Sequence, residues 1–113
     1  MKKGTRKDLF PGALELMILR ILRREPLHGY ALVQRIRQAS DDLLQVEEGS
    51  LYPALQRMLK ESWITASWRE SASGRRIRVY RVTAKGVRHL DDHVSHFEQM
   101  LEGVRRVLSL VPR

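Results

Sequence analysis

Three of the four histidines, His89, His93 and His96, lie close together with Asp92 among them. His89 and His93 are spaced i, i+4 and His96 follows one turn on, so a helix would bring imidazoles near one another. Such spacing could serve zinc or nickel. The pattern carries no cysteine thiolate and no His-Glu-x-x-His arrangement, and its positions fall on the outer face of the helix that the surrounding residues predict. A solvated face is the plainer reading; a metal-responsive protein using His89, His93 and His96 is the rival. Catalytic groupings are missing from the chain. It has no Gly-x-Ser-x-Gly, no cysteine nucleophile, no phosphate loop and no paired inward carboxylates in a cleft, so an enzyme is not expected.

The chemistry on offer is that of cations and hydrogen-bonding side chains. Lys and Arg number 21 against 13 Asp and Glu, a net charge of +8. This balance favours polyanionic partners, namely DNA, RNA or an anionic membrane surface. It is focused in two places. In Glu48–Lys60, Leu51, Leu55, Met58 and Leu59 recur at helical spacing and face inward. Ser50, Tyr52, Pro53, Gln56, Arg57 and Lys60 then share the outer side, and these types can meet phosphates and base edges in a major groove. Glu47 and Glu48 suit the positive end of that helix. Pro53 belongs in a first turn, which places the helix start near Gly49 or Ser50. The second focus is a hairpin. Trp63–Glu70 and Ile77–Thr83 alternate with period two, with Ile64, Ala66 and Trp68 on one face and Tyr80 and Val82 on one face of the second strand. Ser71–Arg76 joins them, and Arg75, Arg76, Arg78 and Arg81 put four arginines within seven residues. A cationic tip of this kind suits a nucleic-acid backbone; a simple edge sheet with a solvated turn is the alternative.

Other segments must hold these two in place. Residues 1–9 carry Lys2, Lys3, Arg6 and Lys7 and read as a basic, mobile arm. Ala13–Arg23 predicts a helix apolar on nearly all sides, which needs more than one cover, a second copy of the chain being one candidate. Pro26 stops it. A second helix is predicted over Tyr30–Ala39 with Tyr30, Val33 and Ile36 inward, Arg35 and Arg37 outward, and His28 as a structural cap or turn residue at its mouth. Ser40–Val46 is a linker whose Leu43, Leu44 and Val46 tuck beneath it. Thr83 caps a last helix, Ala84–Val111. Along it Val87, Leu90, Val94, Phe97, Leu101, Val104, Leu108 and Val111 are spaced 3-4-3-4-3-4-3, a heptad seam that predicts a coiled-coil homodimer. Phe97 is its one aromatic, so no stacking box for a flat ligand is expected there. Hydrophobic residues make up 42% of the 113, which supports a single cored domain and argues against disorder. The absence of cysteine fits a reducing cytoplasm. No apolar run reaches the roughly 18 residues of a spanning helix and no signal-peptide core is present, so neither membrane nor export is expected.

Several blocks together resemble a known family. Pro11-Gly12-Ala13-Leu14-Glu15-Leu16, Leu27-His28-Gly29-Tyr30, Glu48-Gly49-Ser50-Leu51-Tyr52-Pro53-Ala54-Leu55, Gly74-Arg75-Arg76, Tyr80-Arg81-Val82-Thr83 and Ala84-Lys85-Gly86 follow the order and spacing of PadR-type transcriptional regulators. The chain is similar to the compact subgroup with a single C-terminal helix. The resemblance implies a winged helix-turn-helix, a dimer through the first and last helices, and repression of nearby genes. Tyr30, Ser50, Tyr52 and Pro53 match the family's DNA-facing or helix-positioning residues, and Gly74, Arg75 and Arg76 match its wing. Ser62 departs from a glycine frequent in relatives, and Arg69 from another. Family effectors vary, so the resemblance assigns none.

The expectation is therefore a mostly α chain with a small β-hairpin. An arm at 1–9 leads into a winged helix-turn-helix at 10–83 and a dimerisation helix at 84–113. DNA would meet Tyr30, Ser50, Tyr52, Pro53, Gln56, Arg57, Lys60, Gly74, Arg75 and Arg76. A partner copy would meet Leu16 and Leu19 together with the last helix's seam, Val87 to Leu108. The expected function is a cytoplasmic repressor that reads a pseudo-palindromic operator in double-stranded DNA, with no cofactor and an unknown small-molecule effector left open. The rivals are the metal-responsive regulator and a winged-helix module for RNA or protein, which would work through its wing or sheet.

Overall fold

A computed structural model describes residues 12–110. The basic arm expected at 1–9 and the last seam position, Val111, lie outside the described residues. Helix α1 (Ala13–Leu22) follows Gly12, whose φ of 85° is left-handed and suits glycine. Its apolar circumference is covered by the chain itself: α1 touches all three later helices and the sheet. Ile18 and Leu19 are fully enclosed and Leu16 and Leu22 nearly so, while Leu14, Met17 and Ile21 pack at the margin of the same core. This corrects the interface expectation for Leu16 and Leu19. Both are core residues of one chain, enclosed by the later elements packed on α1.

A two-residue strand not foreseen from the sequence, β1 (Leu27–His28), precedes helix α2 (Gly29–Ala39). His28 caps α2, its Nδ1 accepting the Ala31 N–H at 3.4 Å. Leu32 and Ile36 fill the core side of α2 and Val33 its edge, whereas Tyr30 points to solvent. The inward placement expected for Tyr30 is thus wrong: the helix starts one residue earlier, and Leu32 supplies the apolar phase. Asp41 and Asp42 then turn the chain with φ of 54° and 67°. Aspartate tolerates this left-handed region better than most residues, and Asp42 also pairs with Arg37 at 3.0 Å. Leu44 and Val46 pack on the core, but Leu43 is exposed rather than tucked in.

Helix α3 (Glu48–Lys60) buries Leu51, Ala54, Leu55 and Met58, with Leu59 at the margin. It begins slightly earlier than expected, so Pro53 lies in the second turn. The missing proline N–H falls opposite the carbonyl of Gly49, an exposed residue, where solvent can replace the lost bond. At the far end Ser62 adopts φ 64°, with Ser62 N–H donating to Leu59 O and Trp63 N–H to Met58 O, both at 3.0 Å. This is a Schellman closure built on serine where glycine fits best. Ser62→Gly should therefore stabilise the fold by about 0.5–1 kcal/mol, relief of left-handed strain outweighing glycine's extra chain entropy. Urea unfolding would register this as a higher midpoint at unchanged slope, and no gain would mean that the turn carries no strain.

Strands β2 (Ile64–Glu70) and β3 (Arg76–Val82) pair antiparallel from Ile64↔Val82 to Glu70↔Arg76, and β1 adds to the other edge of β3. Their loop closes through Ser71 N–H to Arg75 O at 2.8 Å and Gly74 N–H to Ser71 O at 2.9 Å, with Gly74 at φ 85°. Helix α4 (Ala84–Leu108) is capped by Thr83, whose Oγ1 accepts the Gly86 N–H at 3.0 Å. It is about 37 Å long and divides in two. Leu90 is in the core and Val94 and Phe97 pack against it, so this half of the seam lies on its own domain. That corrects the interface role expected for Leu90, which the chain's own core encloses. Further along, Leu101, Val104 and Leu108 are exposed.

Candidate nucleic-acid interface

Tyr52 and Gly29 set the geometry at the start of α3. A Cβ on Gly29 would meet the Tyr52 hydroxyl at 2.9 Å, so glycine at the mouth of α2 is what lets the ring lie flat against that helix. Around this contact a shallow notch is lined by His28, Gly29, Tyr30, Tyr52, Ile77, Arg78 and Tyr80. The notch sets Tyr52 of α3 beside α2 and β3, the strand that leads out to the wing. Burial pushes the Tyr80 phenol up, against the Arg78 guanidinium, which pulls it down. Tyr80 therefore stays a neutral hydrogen-bonding group.

Beyond Tyr52, Pro53, Gln56 and Lys60 are exposed and Ser50 half-buried. Arg57 is placed differently from the expectation. Its Nε and Nη2 reach Glu15 Oε2 of α1 at 3.1 and 2.7 Å. The carboxylate side is 12% exposed and the guanidinium 60%. Glu15 thus takes one edge of Arg57 and ties the last turn of α3 to α1, which makes Arg57 a positioning residue before it is a contact. The pairing spans 42 positions, a separation over which sequence spacing carries no signal.

On the wing, Gly74, Arg75 and Arg76 are exposed. Among the described residues none of Lys60, Arg69, Arg75, Arg76, Arg78 or Arg81 forms an ion pair; the pairs present join Arg23, Arg35, Arg37, Arg57, Arg105 and Arg106 to acids elsewhere. Trp68 shares a sheet face with Ile64 and Ala66 as the period predicts, but that face runs past the edge of the core and the ring is 56% exposed. The Arg76 guanidinium lies 4.6 Å from its centroid and that of Arg78 5.8 Å, with Arg78 also 6.0 Å from Tyr80. Arg78 was one of the four hairpin arginines that the sequence pointed to a nucleic-acid backbone, but Trp68 was not singled out as a contact. The register that puts Trp68 opposite Arg78 could have suggested the pair.

The histidines form a stack. Trp63 lies 3.7 Å from His89, ring centroid to centroid, and His89 lies 4.1 Å from His93. His89 is thus half-buried under Trp63 rather than on a solvated face. His93 Nδ1 sits 2.9 Å from the His89 carbonyl oxygen, which can only accept, so that nitrogen carries a proton and is closed to a metal. No group of three His, Cys, Asp or Glu that could hold a metal occurs among the described residues.

Burial, and then His93, hold the His89 imidazole below its ordinary value, against the opposing pull of Asp92, Glu15 and Glu61. The unfolded chain therefore takes up the proton first as pH falls. The stability due to neutral His89 is full above the unfolded value of 6.5 and is lost as pH drops below it towards the folded value. Denaturation midpoints should fall between neutral and mildly acidic pH, and less so in His89→Gln. Equal slopes in the two proteins would remove His89 as the cause.

The sequence pattern of the PadR-like family of transcriptional regulators matches residues 18–92. The transcriptional regulator YqjI of Escherichia coli is 30% identical over 103 residues, covering 90% of this chain but 48% of that protein, so the chain spans about half its length. A PadR-like transcriptional regulator from Bacillus cereus superposes with a TM-score of 0.70 at 30% identity, over 88% of this chain and 95% of that one. The fold also resembles that of Bacillus subtilis PadR, solved in complex with operator DNA, with a TM-score of 0.65 at 23% identity over 73% of this chain and 46% of the other.

Proposed function

The chain belongs to the PadR-like family of transcriptional regulators, and we propose that it acts as a homodimeric repressor on a pseudo-palindromic DNA operator. The observation that carries this reading is the tyrosine notch that sets α3 beside β3, together with Lys60 and the hairpin arginines, which are free of ion pairs among the described residues. On α3, Gln56 and Lys60, with Ser50 and Tyr52, meet base edges and phosphates in the major groove. Pro53 and Gly29 fix the angle of the helix and of the Tyr52 ring. Tyr30 adds a hydroxyl beside them. Gly74, Arg75 and Arg76 bring the wing to the adjacent backbone or minor groove, and Arg57, held by Glu15, keeps α3 square to α1.

Two copies would join along the outer half of α4, with residues 84–113 as the dimerisation helix and 10–83 as the DNA-binding unit. A two-fold protein reads two half-sites about one turn of DNA apart or a small multiple of it. Repression follows if such a site overlaps a promoter in the cytoplasm. Release would need only a change in the distance between the two α3 helices, and no catalytic step enters.

The test is a gel-shift comparison of genomic duplex fragments, including the region upstream of the protein's own gene, against single-stranded RNA at matched salt. Tight binding to a duplex that holds an inverted repeat is expected. Tighter binding to RNA would overturn the reading in favour of an RNA module.

A further inference from the structure

We propose that Trp68 is itself a DNA-contact residue, an apolar platform on the wing that packs against deoxyribose while its two arginines take the flanking phosphates. The proposal rests on the duplex-DNA reading above and extends it to a residue that the resemblance does not assign.

An exposed indole on a strand has to be explained, because it leaves a large apolar surface in water. Trp68 has none of the usual cover: the core ends at Ala66 and Tyr80, its neighbours towards the body of the sheet. Arginines flank it instead. Arg78 stands opposite in register and Arg76 lies two residues further out on the same strand, both within cation–π range of the ring. Glu70 is the cross-strand partner of Arg76, yet the two form no ion pair. The arginines are therefore ordered by an aromatic ring and left electrostatically unsatisfied, a state suited to an anion from outside.

The row continues inward. Arg78 also lies near Tyr80, and both line the notch with Tyr52 and Tyr30. Cationic and aromatic groups thus alternate from the wing to the recognition helix. A DNA strand offers the complementary alternation of anionic phosphate and apolar sugar. A protein or a second copy would have to supply acids and apolar groups in that same order, and the charge of +8 opposes self-association through this face. Sugar contact is indifferent to base sequence, so Trp68 should strengthen specific and nonspecific binding alike. It should also do so without counterion release, because it neutralises no phosphate.

The chain has two tryptophans, so Trp63→Phe leaves Trp68 as the sole indole reporter. Titrating that protein with a short mixed-sequence duplex at low salt should change Trp68 emission and protect it from acrylamide. In the otherwise natural chain, Trp68→Ala should weaken duplex binding by about tenfold and leave the slope of log affinity against log salt unaltered. Arg75→Ala, as comparison, should reduce that slope by about one. Wild-type affinity in Trp68→Ala would overturn the proposal, and so would unchanged emission and quenching while the duplex is bound. Protection of Trp68 by raising protein concentration without DNA would assign the face to a second copy instead, and would also overturn it. If the wild-type chain binds no duplex at any salt, the DNA reading itself fails, a result distinct from the other three. Should Trp63→Phe not fold, the salt series on Trp68→Ala decides alone.

Discussion

Leu101→Glu should yield monomers that remain folded and should weaken operator binding by about 10²–10⁴-fold. The two halves of α4 explain why both effects are expected together. Leu101 is 38% exposed and Leu108 79%, with Met100, Val104 and Val107 exposed around them. A carboxylate placed here costs the single chain little, since its side chain can reach water. In a coiled-coil seam the same carboxylate would be buried opposite its own copy, where two like charges meet in an apolar layer. The dimer is lost and the domain is kept. Operator affinity then falls steeply, because a dimer's second half-site is bound at high effective concentration, and a monomer has one half-site only. Leu90→Glu is the contrast. Leu90 is enclosed by the chain's own core, so that variant should unfold rather than dissociate. Sedimentation of Leu101→Glu at several concentrations, beside its thermal melt, separates the cases. A persistent dimer would mean that copies meet on some other face.

The parts of the fold that were legible in the sequence are those set by local rules. Thr83 and His28 cap because side chains next to a helix start satisfy its free N–H groups, and both do so here. The hairpin followed from period-two alternation and a glycine turn, the buried side of α3 from helical period. Tertiary closure was less legible. The heptad spacing predicted one continuous seam, but spacing cannot say where a domain ends, and the first half of the seam serves the chain's own core. The same limit explains Leu16 and Leu19: an all-round apolar helix needs covers, and their source depends on how four later segments fold back. β1 is too short to show a period. The Glu15–Arg57 bridge and the Trp63–His89–His93 stack join distant segments, and a period that puts Trp68 on one face with Ile64 and Ala66 does not say where the core beneath that face ends. At the candidate interface the residue types were readable on α3 and on the wing. That Arg57 is shared with Glu15, or that Trp68 belongs with Arg76 and Arg78, required the packing.

Gly86→Ala should cost about 3 kcal/mol and lower the melting temperature by about 10–20 °C. Taken by helix propensity alone, the expectation has the opposite sign. Gly86 lies in the first turn of α4, and alanine there would favour the helix by up to about 1 kcal/mol. Packing decides against it. A Cβ on Gly86 would collide with the backbone carbonyl of Trp63 and come within 2.9 Å of Val82 Cγ2. That carbonyl cannot easily retreat. It accepts both the Thr83 N–H and the Thr83 hydroxyl at 3.0 Å, and the hydroxyl also reaches Ser62 O at 2.6 Å. One residue, Thr83, therefore caps α4 and clasps the turn that ends α3, and Gly86 is the gap that lets the start of α4 lie against that turn. The substitution must either open this clasp or push α4 outward. Opening it unfolds the chain at lower temperature. Pushing α4 outward leaves a folded protein in which the two α3 helices of the proposed dimer would stand at the wrong distance, with operator affinity lost and nonspecific binding retained. Thermal melts together with binding to an operator and to a mixed-sequence duplex distinguish the outcomes. A Gly86→Ala protein that melts higher and binds normally would mean that helix propensity wins and that the clasp is slack.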